Sequence, residues 1–158
     1  MADGRPSGGA DQFAELIAQR VKPAVAALAK IDPQRQTLWG HSFGGLFALH
    51  VLFTRTRDFQ AYAVANPSVW WGEGVLLGEQ QKLAPAKPVR LLMMRGTAPK
   101  LERGPAGASE VSPEAARDLA KGLAGRANVA VDYQELLLSH GAMFSASLGP
   151  ALRFAAGR

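Results

Sequence analysis

The chain has 158 residues, 47% of them apolar and 20% charged, a balance that suits one packed core rather than a disordered or low-complexity chain. No apolar run approaches the ~20 residues of a helical membrane span. The chain contains no cysteine, which excludes disulfides, thiolate chemistry and cysteine-ligated zinc. The net charge of +5 is spread over loose groups: Arg55 with Arg57, Lys82 with Lys87, and Arg95 with Lys100 and Arg103. There is no basic helix and no nucleic-acid motif, so nucleic acid is not an expected partner. The charge reads as a solvated basic surface, able to attract an anionic small molecule.

Residues 1–10 are polar and glycine-rich and read as a flexible segment ahead of a single domain over 11–158. They lack the basic start and apolar stretch of a secretory signal, which points to a cytoplasmic location. Asp11 is placed to cap a helix over 11–30, with Phe13, Leu16, Ile17 and Val21 on one face and a kink at Pro23. A strand over 35–39 follows. Residues 44–54 are almost wholly apolar, as expected of a helix buried on most sides. Residues 59–65 form the next strand, ended by Asn66-Pro67-Ser68. Trp70-Trp71-Gly72 opens a loop, and a short helix runs toward Lys82. A strand over 89–94 leads into a long loop over 96–107. Ser112-Pro113-Glu114 starts a helix that ends near Gly125. The last elements are a strand over 129–136, a loop over 139–142 and a helix over 144–155. Strand and helix alternate through about four strands, the pattern of a mostly parallel sheet with helices on both faces.

Within this order, Gly40-His41-Ser42-Phe43-Gly44 fits G-x-S-x-G between a strand and a helix. A chain that reverses between strand and helix in so few residues leaves little room for side chains beside the turn, so glycine is expected at the flanks. Ser42 is then held at the tip in a strained conformation with its hydroxyl presented. The backbone N–H of Phe43, at the helix start, becomes the oxyanion donor. The bare pattern is weak in a glycine-rich chain, and the flanking elements are what strengthen it.

A serine hydroxyl needs a base. Of the three histidines, His41 adjoins Ser42 and is expected to point away from its side chain. His50 lies inside the apolar helix and reads as a hydrogen-bonded core residue. His140 follows the last strand, at the sheet end where catalytic groups gather, and is the candidate base. Glu102 is the candidate acid after the strand over 89–94, with Glu110 and Asp132 as weaker alternatives and a Ser–His pair without an acid left open.

The segments GGADQFAELIAQRVKP, QTLWGHSFGGLFALHVLFTR, FQAYAVANPSVWW and the SHGAMF loop together resemble the putative esterase family of α/β-hydrolases, which includes siderophore (enterobactin and salmochelin) esterases. The elbow and the downstream N-P-S-V-W-W are the most specific parts. The resemblance implies Ser42 as nucleophile and His140 as base, with a Ser–His dyad sufficient in some members. It also implies that the chain corresponds to the C-terminal part of a longer sheet. The N-terminal strands would then be missing, together with the loop that gives a second oxyanion donor. The strand over 35–39 would expose an edge through which a homo-oligomer could form.

The expected function is therefore hydrolysis of a small-molecule carboxylic ester, anionic or aromatic, such as a siderophore ester, with no cofactor and no metal. His41, Trp70 and Trp71 are the candidate substrate-binding side chains, the tryptophans by stacking on an aromatic ring such as a catechol. The alternatives are a weak or inactive half-hydrolase serving as an assembly module, and acyl transfer to an alcohol by the same residues.

Overall fold

In a computed structural model, residues 8–99 and 111–157 are described. Glu102 and Glu110 lie outside them. The N-terminal helical stretch comprises α1 (Ala10–Leu16), a π-helical turn (Ile17–Val21) and α2 (Lys22–Leu28). The expected kink takes the form of this π turn, in which the Lys22 N–H reaches the Ile17 carbonyl. The cause is Pro23: it has no N–H to give, and its ring needs the space that a widened turn provides.

Four strands follow: β1 (Thr37–His41), β2 (Ala61–Ala65), β3 (Val89–Gly96) and β4 (Val129–Leu136). They form one sheet in chain order, parallel throughout. Strand β1 starts later than expected because the chain is still turning at Arg35, whose N–H bonds the Asp32 carbonyl. Helix α3 (Phe43–Thr54) joins β1 to β2, α4 (Val75–Glu79) lies between β2 and β3, and α5 (Ala115–Ala124) joins β3 to β4. Helix α5 starts two residues later than Ser112 would cap it: Glu114 is the N-cap and no side chain caps the helix, while Ser112 Oγ accepts the Glu114 N–H at 3.1 Å in the turn before it. The C-terminal segment is two helices, α6 (Ala142–Ala146) and α7 (Leu148–Ala155).

The period-two alternation of the strands divides the core into two layers. Tyr62, Val64, Leu91 and Met93 face a layer closed by α1, α3, α4 and α5. Ala63, Ala65, Leu92 and Met94 face the other way, against Met143 of α6 and Ala151 of α7. Every residue of β2 is buried, as a central strand requires. Helix α3 shows little amphipathicity and buries Ala48, Leu49, Val51, Leu52 and Phe53. Among the described residues no helix is long and apolar enough to cross a membrane.

Parallel register brings the carboxyl ends of the strands to one rim. His41 pairs with Ala65, and Ala65 with Met94. Ser42, Asn66 and the turn after β4 therefore sit together beyond that rim. Behind it, four side chains tie β3, β4 and α5. Arg95 bonds Glu114 at 2.8 Å and Glu135 at 3.1 Å, and Arg117 bonds Glu135 at 2.6 Å. The Arg117 hydrogen bond, then those of Tyr133 and Arg95, hold the Glu135 carboxyl down at about 2.

Candidate active site

Ser42 sits between β1 and α3 at φ 57° and ψ −119°, outside the regions that non-glycine residues normally occupy. Such a conformation costs on the order of 1–3 kcal/mol and persists only where its surroundings over-determine it. Here they do. The Ser42 N–H bonds the Ala65 carbonyl at 3.0 Å, and the Ser42 carbonyl accepts the N–H groups of Leu46 at 3.0 Å and Ser68 at 3.1 Å.

The glycines divide in a way the motif does not show. A Cβ on Gly40 would run into the Gly44 carbonyl and lie 2.8 Å from the Gly45 nitrogen. On Gly45 it would come within 3.1 Å of the Pro67 Cα. On Gly44 it would meet open space. The expectation of steric need therefore holds for Gly40, fails for Gly44 and moves to Gly45. The turn is tight where α3 passes over the end of β1, and Gly44 already faces outward.

His140 approaches from the turn after β4, with its Nε2 3.1 Å from Ser42 Oγ. That turn is tied down from several sides. The Leu138 carbonyl accepts the Ala98 N–H at 3.2 Å, and the Ser139 carbonyl accepts the Met143 N–H at 3.1 Å. His41 Nε2–H donates to the His140 carbonyl at 2.8 Å. The His41 ring lies 4.7 Å from that of His140 and edge-on to Phe144 at 5.7 Å. His41 was expected to contact substrate. In the structure its ring packs on the His140 turn, where it acts as a brace. Trp39 continues the support, edge-on to Phe144 at 5.5 Å and bonded through Nε1–H to Ser147 Oγ at 3.2 Å.

Of the candidate acids, Asp132 lies in mid-strand opposite Leu92, short of the rim, where it accepts the Gln134 side-chain N–H at 2.9 Å. His50 is held at 2.7 Å by Glu79 of α4 and at 3.0 Å by Asp11 of α1. It joins three helices and stays apart from Ser42, as a histidine in that helix was expected to do.

From sequence, the loop over 66–72 is expected to line the substrate pocket; two of its residues take specific places at the rim that this expectation did not give. Asn66 has φ 43°, gives its N–H to the Met94 carbonyl at 2.8 Å and accepts the Gly96 N–H on Oδ1 at 2.8 Å. Ser68 is buried, and its Oγ lies 3.2 Å from Ser42 Oγ. The Asn-Pro-Ser triplet signals a turn in sequence. Only the parallel pairing of β1 with β2 shows that the turn lands on the serine.

The tryptophans part ways. Trp70 is 51% exposed and stands edge-on to Phe43 at 6.1 Å. Trp71 lines a cavity of about 520 Å³ with Phe13, Phe43, Phe47 and Val75, with His50 and Glu79 on its polar side. Phe43 and Gly44, the two residues after Ser42, form part of its wall; Ser42 and His140 do not line it.

A parallel sheet with helices on both faces, a strained serine at a strand-to-helix turn and a histidine after the last strand together define the α/β-hydrolase fold. The profile of the family described as "Putative esterase" matches residues 2–117, and the chain belongs to that family. The chain is 43% identical over 83 residues to the siderophore triacetylfusarinine C esterase of Aspergillus fumigatus, covering 52% of this chain and 28% of the relative. It is 34% identical over 150 residues to the apo-salmochelin esterase of Escherichia coli, covering 94% of this chain and 46% of the relative. The crystal structure of the BES protein from Bacillus cereus superposes with a TM-score of 0.81 at 31% identity, covering 98% of this chain and 59% of that one. The chain thus spans less than two thirds of each.

Proposed function

We propose that the chain hydrolyses carboxylic esters through Ser42 and His140. One observation carries this: the His140 Nε2 lies 3.1 Å from the Oγ of a serine held in a strained elbow. At that distance Ser42 gives its proton to Nε2 as its oxygen attacks the ester carbonyl carbon. The Phe43 N–H is the first of α3, one of those a helix leaves without an intrahelical partner, and is the donor proposed for the oxygen on which charge develops. Collapse of the tetrahedral species breaks the carbon–oxygen bond, and His140 returns the proton to the departing alcohol. Water then attacks the acyl–Ser42 ester, passing its proton to His140, and the acid leaves. The serine is regenerated when His140 gives that proton to Oγ.

Siderophore esters are the proposed substrate class. The two esterase relatives carry siderophores in their names. The exposed Trp70 edge and its neighbour Phe43, which follows Ser42, offer aromatic surface, and the net charge of +5 suits an anionic ligand. Hydrolysis of p-nitrophenyl butyrate, absent in Ser42→Ala, tests the chemistry. Release of hydroxy acid from triacetylfusarinine C tests the class. Equal rates in wild type and Ser42→Ala would overturn the proposal.

A second reading, assembly with another chain or copy, is favoured by two features of the described residues. Strand β1 is an edge, and α1, the π turn and α2 leave Phe13, Leu16, Val21, Val25 and Leu28 exposed. Light scattering on the purified chain reads this directly: a mass above 16.8 kDa supports assembly and a monomer rejects self-assembly.

A further inference from the structure

We propose that Ser68 is a positioning residue for the nucleophile, fixing the orientation of the Ser42 hydroxyl and supporting its oxygen as the covalent bond to substrate forms and breaks. The inference rests on the esterase activity proposed above and adds a residue to that site.

The first support is geometric. Ser42 Oγ lies 3.1 Å from His140 Nε2 and 3.2 Å from Ser68 Oγ. A hydroxyl has one proton and two lone pairs. For Ser42 to give its proton to His140, the contact with Ser68 must run the other way, with Ser68 Oγ–H donating to Ser42 Oγ. One lone pair is then occupied and the other remains for attack. Held from two sides, Oγ is kept from rotating about its χ1 bond to a non-productive position.

The second support is the way Ser68 is itself held. It is 2% exposed, in a loop clamped to the elbow. Its N–H bonds the Ser42 carbonyl at 3.1 Å, and its own carbonyl accepts the Trp71 N–H at 3.0 Å. Pro67, just before it, packs on Gly45 so closely that a Cβ there would come within 3.1 Å of the Pro67 Cα. Asn66 fastens the loop to β3 by two hydrogen bonds. A buried hydroxyl anchored this firmly costs free energy unless it is hydrogen-bonded, and its side-chain partner is the reacting oxygen.

The chemistry follows the same bond. In the acyl-enzyme, Ser42 Oγ carries no proton and is the ester oxygen, and Ser68 Oγ–H still faces it. As water attack breaks the acyl carbon–Oγ bond, the electron pair settles on Oγ before His140 protonates it. A donor already in place lowers the energy of that charge without reorganisation.

Ser68→Ala is therefore expected to lower kcat for p-nitrophenyl butyrate about tenfold, the rate equivalent of one hydrogen bond to the reacting oxygen. KM and Tm should change little, since a role in packing alone would move Tm and leave kcat in place. Fluorophosphonate labelling of Ser42 should slow by a similar factor. Ser68→Thr retains the hydroxyl and should recover most of both rates. Three outcomes overturn the inference: kcat and labelling within twofold of wild type in Ser68→Ala, loss of kcat only in step with Tm, or no recovery in Ser68→Thr. A wild-type chain that neither hydrolyses ester nor takes the label refutes the esterase activity itself, which separates the two failures.

Discussion

The two halves of the Ser42–His140 pair are held by different means. Ser42 is part of the framework: its backbone is strained, bonded to β2 and to the loop after it, and crowded by Gly40 and Gly45. His140 stands on an exposed turn after β4, fastened by backbone hydrogen bonds and by the His41 brace. The crowded backbone around Ser42, at Gly40 above all, should therefore fail as structure when altered. The histidine's side should fail as chemistry, with the fold intact.

Substitutions sharpen this contrast. His140→Ala should lower kcat for p-nitrophenyl butyrate by about 10³-fold or more, because the serine loses its base. Circular-dichroism melting should place its Tm close to wild type, and a Tm that collapses with activity would break the comparison. Gly40→Ala should behave in the opposite sense. Its Cβ collides with backbone that has nowhere to go, at a cost of roughly 3 kcal/mol or more, seen as a large fall in Tm or in soluble yield. Gly44→Ala, in the same motif, should leave Tm nearly unchanged because that Cβ meets open space. His41→Ala should lower kcat by about tenfold, one hydrogen bond's worth, because the His140 turn loses the bond that His41 gives its carbonyl.

The smallest effect belongs to the network behind the rim. The folded Glu135 carboxyl is held at about 2, below its ordinary value of 4.5. A group whose pKa is depressed on folding adds stability above its unfolded pKa and loses it as pH falls through the folded one. Tm should therefore fall between about pH 4.5 and pH 2 more steeply in wild type than in Glu135→Gln. Equal slopes would remove Glu135 from the account. The side chain lies at the surface, so the difference should shrink in high salt.

Much of this arrangement could be read from residue order. Alternating apolar strands and helices gave the parallel sheet, and β4 lies at 129–136 as expected. G-x-S-x-G between a strand and a buried helix gave Ser42, and the place of His140 after the last strand gave its partner. What escaped depends on which strands become neighbours. Ser68 acquires meaning only once β2 pairs with β1, and His41 becomes a brace only because the turn after β4 reaches across the rim to it. The division between Gly40 and Gly44 is likewise set by a crossing of backbone that local pattern does not encode. At Pro23 the sequence foretold a disruption, but not that it would take the form of a π turn over Ile17–Val21.

The most direct test of the central claim is a double-mutant cycle on ester hydrolysis with Ser42→Ala, His140→Ala and the pair together. If the two side chains share one proton, either single substitution removes nearly the whole effect, and the double variant is no slower than the worse single. Losses that multiply, or a His140→Ala variant as fast as wild type, would contradict it.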